Sequence, residues 1–302
     1  MTAPTFHDSA WYCYANSTAM LLSSIDETVS PHLIEALTGV GLGASFNGPL
    51  PFFGELQPPD TGITQALELL GFAFDEEATD RPEPVPFERL EDGPVLVGPL
   101  DMSHLVYNPM RPRGPGVDHY VLILDSDDGR HRLHDPAGFA HALLSRDDLA
   151  TAWRADTIAY RRGHYRSWRH PRRIASPSAD AIFDSAMDRF RSLYRAAETR
   201  GGCIGRDAIV ALAKAARENT LDQAQRGHLL YFALPLGAKR ALDYVAFFER
   251  RSPRLADLKR QQAEFFGACH TAMGAGTTEE LGRRLDALAE LEPEIKTAIL
   301  TA

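Results

Sequence analysis

The sequence predicts an α+β fold in two parts, a mixed helix-and-strand half followed by a helical bundle. Three observations carry this. An apolar helix opens at Cys13, and short β-type runs alternate with turn residues between Phe72 and Arg161. Beyond Pro177 the chain falls into long amphipathic segments separated by glycine and proline breakers. The division is placed so that residues 1–175 form the mixed region and 176–302 the helical one.

Each element has a local reason. Cys13 to Ser24 carries apolar residues at helical period, and a second helix opens at Ser30-Pro31, a capping serine before a proline suited to the first turn. Leu33, Ile34, Leu37 and Val40 form its apolar stripe. Gly39 to Pro59, with five glycines and four prolines, reads as a long irregular loop of the kind that usually serves function. Its Gly39-Val40-Gly41-Leu42-Gly43 run follows a helix and lacks the phosphate-binding lysine, which excludes a nucleotide loop. Ile63, Ala66, Leu67 and Leu70 mark a third helix, ended by Gly71. Strands are predicted at Phe72 to Asp75, Pro94 to Leu100, His119 to Leu124, His131 to Asp135 and Thr157 to Arg161. A helix capped by Ser145 runs to Trp153 between the last two. The bundle helices are expected at Ser178 to Thr199, Arg206 to Glu218, Thr220 to Ala233, Gly237 to Arg250, Pro253 to Met273 and Thr278 to Leu291.

Composition narrows the function. With 302 residues, 44% of them hydrophobic, the chain can build a real core, and its formal charge of −9 argues against general nucleic-acid binding. No run of apolar residues is long enough for a membrane helix, and Met1 to Ser9 lacks the pattern of a signal peptide. A soluble, cytoplasmic protein is expected, with no membrane partner. The cysteines at 13, 203 and 269 are too few and too scattered for a disulfide scaffold or a zinc site, so free thiols and no bound metal are expected. From Thr157 to Ala179 there is no acidic residue, while Arg166, Arg169 and Arg172 stand among six arginines. Such a stripe either receives an anionic partner or pairs with acids of neighbouring helices.

The chemistry centres on Cys13. A thiol in the first turn of a helix meets unpaired N–H groups and the positive end of the dipole, both of which favour thiolate. His119 begins an apolar strand, a rigid place for a base, and Asp135 closes the next one before Pro136. If the strands pair, Asp135 holds one ring nitrogen of His119 while the other faces Cys13, giving a nucleophile, base and orienter. Asn16, one helical turn on, and His7, six residues before Cys13, are candidate oxyanion donors beside the Cys13 N–H, with capping or local backbone bonding the equal alternative for Asn16. His104 enters a Pro/Gly-rich flap and is a candidate substrate contact, as are Glu55 and Gln57 in the long loop. His134 points away from Asp135 by strand alternation.

The order of Cys13, His119 and Asp135 resembles papain-like cysteine enzymes, and the layout of a catalytic half before a helical region is similar to double-glycine leader peptidases and to the butirosin biosynthesis protein H family. Overall size and layout also resemble the condensing enzyme of lincosamide antibiotic assembly. These resemblances imply a papain-like region at 1–175, with Cys13 as nucleophile, His119 as base and Asp135 as orienter. They imply an amide-forming acyltransferase of natural-product biosynthesis, moving an acyl group from a carrier-protein thioester to the amine of an aminosugar. The protein itself would then bind no cofactor. The donor would arrive on a phosphopantetheine arm, with Arg166, Arg169 and Arg172 docking the acyl- or peptidyl-carrier protein. The alternatives are a cysteine peptidase or amidase and a non-catalytic binding module. The family's glutamine ahead of the cysteine is missing here, where no glutamine precedes Gln57.

Overall fold

A computed structural model describes residues 3–7, 11–54, 56–127 and 129–302. In chain order its elements are α1 (Cys13–Ser23), α2 (Pro31–Thr38), α3 (Pro59–Leu69), β1 (Phe72–Thr79), β2 (Val95–Asp101), β3 (Asp118–Asp127), β4 (Arg130–Asp135), β5 (Phe139–Ser145), α4 (Arg146–Arg154) and β6 (His164–Arg173). The helices α5 (Ala179–Thr199), α6 (Arg206–Arg217), α7 (Gln223–His228), α8 (Leu234–Phe248), α9 (Pro253–Gly274) and α10 (Thr278–Thr301) follow. The fold is α+β, with an antiparallel sheet and a helical C-terminal region. Residues 1–34 and 59–177 form one compact unit, and 35–58 with 178–302 form the other.

In the first unit six strands, among the described residues, run in the order β1-β6-β2-β3-β4-β5, every pairing antiparallel. Alternation gives the central strands two apolar faces. Val97, Val121, Ile123 and Leu133 pack with Leu149 and Trp153 of α4. On the α1 side, the Ser17 hydroxyl donates to the Tyr120 carbonyl at 3.1 Å and the Tyr14 and Tyr120 rings meet edge to face at 6.0 Å. Tyr14 to Leu22 of α1 are all buried, so this helix is a core element enclosed on every side. Gly98 lets β2 approach β3: a Cβ there would sit 2.3 Å from Cδ1 of Tyr120.

Two strand expectations are corrected. Thr157 to Arg161 is irregular, and the strand lies at His164–Arg173, on the arginine-rich stretch itself. Its arginines meet an acidic neighbour, Asp75, Glu76 and Glu77 of β1, and this pairing stabilises a strand that local propensity disfavours. The strand β5 was not expected; Asp135 to Phe139 makes the turn that returns the chain onto β4.

In the second unit α6, α8, α9 and α10 share a core that includes Leu212, Ala241, Phe266, Cys269, Leu285 and Leu288. Residues 35–58, expected in the first region as the end of the second helix and most of the Gly39 to Pro59 loop, are folded into this unit. Ala44 and Phe53 join its core, Phe53 stacks edge-on against Phe266 at 4.6 Å, and Arg240 binds Glu35 at 2.8 Å and the Phe53 carbonyl at 3.0 Å. The expected break at Pro235 does not occur, because the chain passes from α7 through one π turn (Leu229–Ala233) into α8, with the proline in the first turn, where no helix bond needs its N–H. Likewise α10 continues through Pro293 to Thr301, well past the expected end at Leu291.

Candidate active site

Cys13 is the first residue of α1 and is partly exposed. Before it, Tyr12 takes the left-handed conformation, φ 59° and ψ 50°, which a bulky residue adopts only when its surroundings enforce it. Asn16 supplies part of that enforcement. Its side-chain N–H groups donate to the Trp11 carbonyl at 2.8 Å and the Tyr12 carbonyl at 3.1 Å, and the residue is 2% exposed. Asn16 thus takes the local backbone role that stood as the alternative to an oxyanion donor: both side-chain N–H groups are used by the turn that presents Cys13. The Cys13 N–H lies ahead of the first intrahelical bond, from Asn16 N–H to the Tyr12 carbonyl at 2.9 Å, so no bond of the helix uses it.

Structure brings His119 and Asp135 together. The His119 Nε2 lies 2.7 Å from Asp135 Oδ1, and the Cys13 thiol is within hydrogen-bonding reach of the same ring. With Nε2 committed to the carboxylate, Nδ1 is left for the thiol. Burial opposes charge on this ring, but the Asp135 carboxylate and then Cys13 outweigh it, and the His119 pKa is held well above its ordinary value. Asp135 is fully buried, and burial alone would raise its pKa. The charge and hydrogen bond of His119, the Ala137 N–H at 2.7 Å and the Tyr107 hydroxyl at 2.8 Å reverse that and lower it.

Tyr107 is the residue that sequence reasoning missed. It lies between His104 and the Pro/Gly-rich segment that begins at Pro109, and its hydroxyl donates to Asp135, on Oδ2. The only signal was an aromatic residue just ahead of a Pro/Gly-rich loop. His104 ends the short turn Met102–His104 and is partly exposed. Asp101 holds the base of the flap by accepting from the Ser103 N–H at 3.0 Å, the Gly116 N–H at 3.2 Å and the Thr157 hydroxyl. The start of β3 is fixed from its other side. Tyr160 donates to Asp118 at 2.7 Å, and its oxygen is 3.0 Å from that of Tyr120.

His7 is half-buried, and burial lowers its pKa; the segment ahead of it is anchored by the Thr5 N–H on the Ser23 hydroxyl at 2.8 Å and the Phe6 ring against His134 at 5.1 Å. Glu55 lies outside the described residues. Gln57 is buried in the second unit with its amide donating to the Thr38 carbonyl, which corrects its expected substrate contact. The arginine stripe is paired within the first unit. Arg166 binds Glu76, Arg169 binds Glu77 at 3.1 Å, and Arg172 lies 3.9 Å from Asp75. The acids come from the neighbouring strand β1 and, as the helix-pairing alternative expects, from a helix, since Asp60 of α3 binds Arg162 at 2.9 Å and lies 3.5 Å from Arg166; of Arg166, Arg169 and Arg172 only Arg172 is largely exposed. Among the described residues no helix is long and apolar enough to cross a membrane.

The family model of the YobF C-terminal domain matches residues 198–300, inside the second unit. Over 294 residues, 96% of each chain, the sequence is 38% identical to a protein of Bacillus subtilis (strain 168) described as uncharacterized protein YobF. The chain belongs to the YobF family. YobF similarity spans both units, so the Cys13 half and the helical half belong to one family architecture. The peptidase domain of Streptococcus ComA, a bi-functional ABC transporter involved in quorum sensing, aligns with 57% of this chain and 99% of its own, at 13% identity and a TM-score of 0.37.

Proposed function

We propose that the chain is a cysteine-dependent acyl-transfer enzyme of the papain-like class. One observation supports the reading above all others. A partly exposed thiol at a helix start interacts with a buried imidazole that is hydrogen-bonded in turn to a fully buried carboxylate. In this reading His119 carries the proton and Cys13 attacks, as a thiolate, the carbonyl carbon of an amide or thioester. The developing oxyanion takes the Cys13 N–H. His119 then gives its proton to the departing amine or thiol, leaving an acyl group on sulfur. In the second half His119 removes a proton from water or an amine, which takes the acyl group and frees the thiol.

Water as acceptor makes this a peptidase or amidase, and an amine makes it the condensing enzyme that the sequence resembles. Transfer from a phosphopantetheine-borne donor to an aminosugar is one case of the latter. Docking of a carrier protein on Arg166 and Arg169 is disfavoured, because their charges are already met by Glu76 and Glu77. The test is intact mass spectrometry after mixing the protein with peptide and with acyl-thioester substrates. Acylation at Cys13, absent from Cys13→Ala, is the expected outcome, and turnover that survives Cys13→Ala overturns the reading. Release of free acid distinguishes hydrolysis from transfer to an added amine.

A further inference from the structure

The irregular segment between α4 and β6 delivers two hydroxyls to the end of the β2–β3 pair. Asp101 and Asp118 are partners across these strands, and like charges directly opposite one another destabilise a sheet. The Thr157 hydroxyl donates to Asp101 and the Tyr160 hydroxyl to Asp118 at 2.7 Å, so each carboxylate takes a donor from the same segment.

Tyr160 does more than answer one charge. Its single hydroxyl hydrogen goes to the Asp118 carboxylate, so the Tyr120 hydroxyl is the donor in the 3.0 Å contact between the two phenols. Burial, and then the Asp118 charge, holds both phenols well above their ordinary pKa, and both stay neutral hydroxyls. One oxygen thereby ties residues 118 and 120, the two chain neighbours of His119. Strand alternation turns these two side chains to one face and His119 to the other, so the tie acts on the backbone on both sides of the histidine. Tyr120 is itself anchored, since it is fully buried and its carbonyl accepts from Ser17 of α1 at 3.1 Å. The charges that bear on its phenol come from three elements: Asp118 of β3, Asp60 of α3, which Arg162 binds at 2.9 Å, and Cys13 of α1. Exchanging Tyr160 for phenylalanine cuts the tie and leaves all three in place.

We infer, on the reading of Cys13 and His119 proposed above, that Tyr160 is a positioning residue for His119. Its hydroxyl fixes the backbone on either side of the histidine and so the placement of the ring against the Cys13 thiol. Every residue involved lies within the first unit.

The rate of Cys13 alkylation by iodoacetamide in the full chain, followed by peptide mapping from about pH 4 to about pH 9, tests this. The wild-type protein should show an acid limb set by the thiolate–imidazolium pair, and His119→Ala should lose it. Tyr160→Phe should move the limb up by about 0.5–1 pH unit, a loss of about three- to tenfold in rate at a pH on the limb. Tyr120→Phe cuts the same tie at its other end and should move the limb in the same direction, which decides the matter if Tyr160→Phe does not fold. Tyr165→Phe removes a comparable bond, from the Tyr165 hydroxyl to the Pro82 carbonyl at 2.7 Å, and should leave the limb in place. A limb that depends on His119 yet stays put in folded Tyr160→Phe or Tyr120→Phe protein, or that moves as far in Tyr165→Phe, overturns the inference alone. An unchanged limb in His119→Ala overturns the cysteine-enzyme reading together with it.

Discussion

Three thiols in one chain provide an internal comparison at the scale of single residues. Cys203 is raised by burial and Asp207, and Cys269 is pushed up to about 12 by burial, so neither should react near neutral pH. Iodoacetamide at pH 7 should therefore alkylate Cys13 at least about tenfold faster than the others, read by peptide mapping; uniform labelling would remove the case for an activated thiol. Asp135→Asn should lower kcat/KM roughly 10³-fold with little change in fold, because the ring loses the partner that orients it. Tyr107→Phe removes one of three donors to that carboxylate and should cost roughly tenfold. Its pH profile adds a readout. Below the normal carboxylate range the Asp135 contribution disappears as pH falls through its lowered pKa, and that loss should begin at higher pH in Tyr107→Phe. Because the His119 pKa is raised, its ion pair is fully present below the ordinary histidine value and fades only as pH rises through the raised one.

Among elements, the turn into α1 matters most. Asn16→Ala leaves the part-buried Trp11 and the buried Tyr12 carbonyls without their side-chain donor and releases the left-handed Tyr12, so stability should fall by about 1–2 kcal/mol in urea unfolding, with kcat falling too because Cys13 is no longer held. Unchanged kcat in this variant would mean that the turn does not position the thiol. Start and type of the helices were legible in the sequence, since Cys13, Ser145, Ser178 and Pro253 stand where caps or first turns belong. The strand β6 was not. Its arginines read as an anion-docking stripe or as partners of helix acids until β1 brings Asp75, Glu76 and Glu77 beside them, and pairing across a sheet leaves no periodic trace in either strand.

At the level of the whole molecule, each unit holds a buried polar group with a different consequence. In the second, Lys259 is 1% exposed with its pKa lowered by burial to about 8. A depressed lysine contributes stability that is present above its unfolded pKa and lost as pH falls through the folded one, so at pH 7 it weighs against folding. Lys259→Met should raise stability at pH 7 by about 1–3 kcal/mol, with the gain shrinking as pH rises from about 8 towards 10.5; a thermal melt across that range checks the sign. In the first unit the Asp135 carboxylate acts in the opposite sense, favouring the fold at neutral pH and being lost in acid.

The sequence by itself determined the chemical cast and its order: a thiol at a helix start, a histidine opening one strand and an aspartate closing the next. It also separated a mixed region from a helical one near residue 177, because helix caps, breakers and hydrophobic period are all local quantities. Only the tertiary structure decided that Tyr107 completes the carboxylate's partners, that Asn16 clamps a turn, that the arginines are neutralised at home, and that residues 35–58 belong with the helical core. Each of these depends on which distant groups meet after the sheet and the helices have packed, and that is settled by the burial and pairing of the whole chain rather than by any window of it.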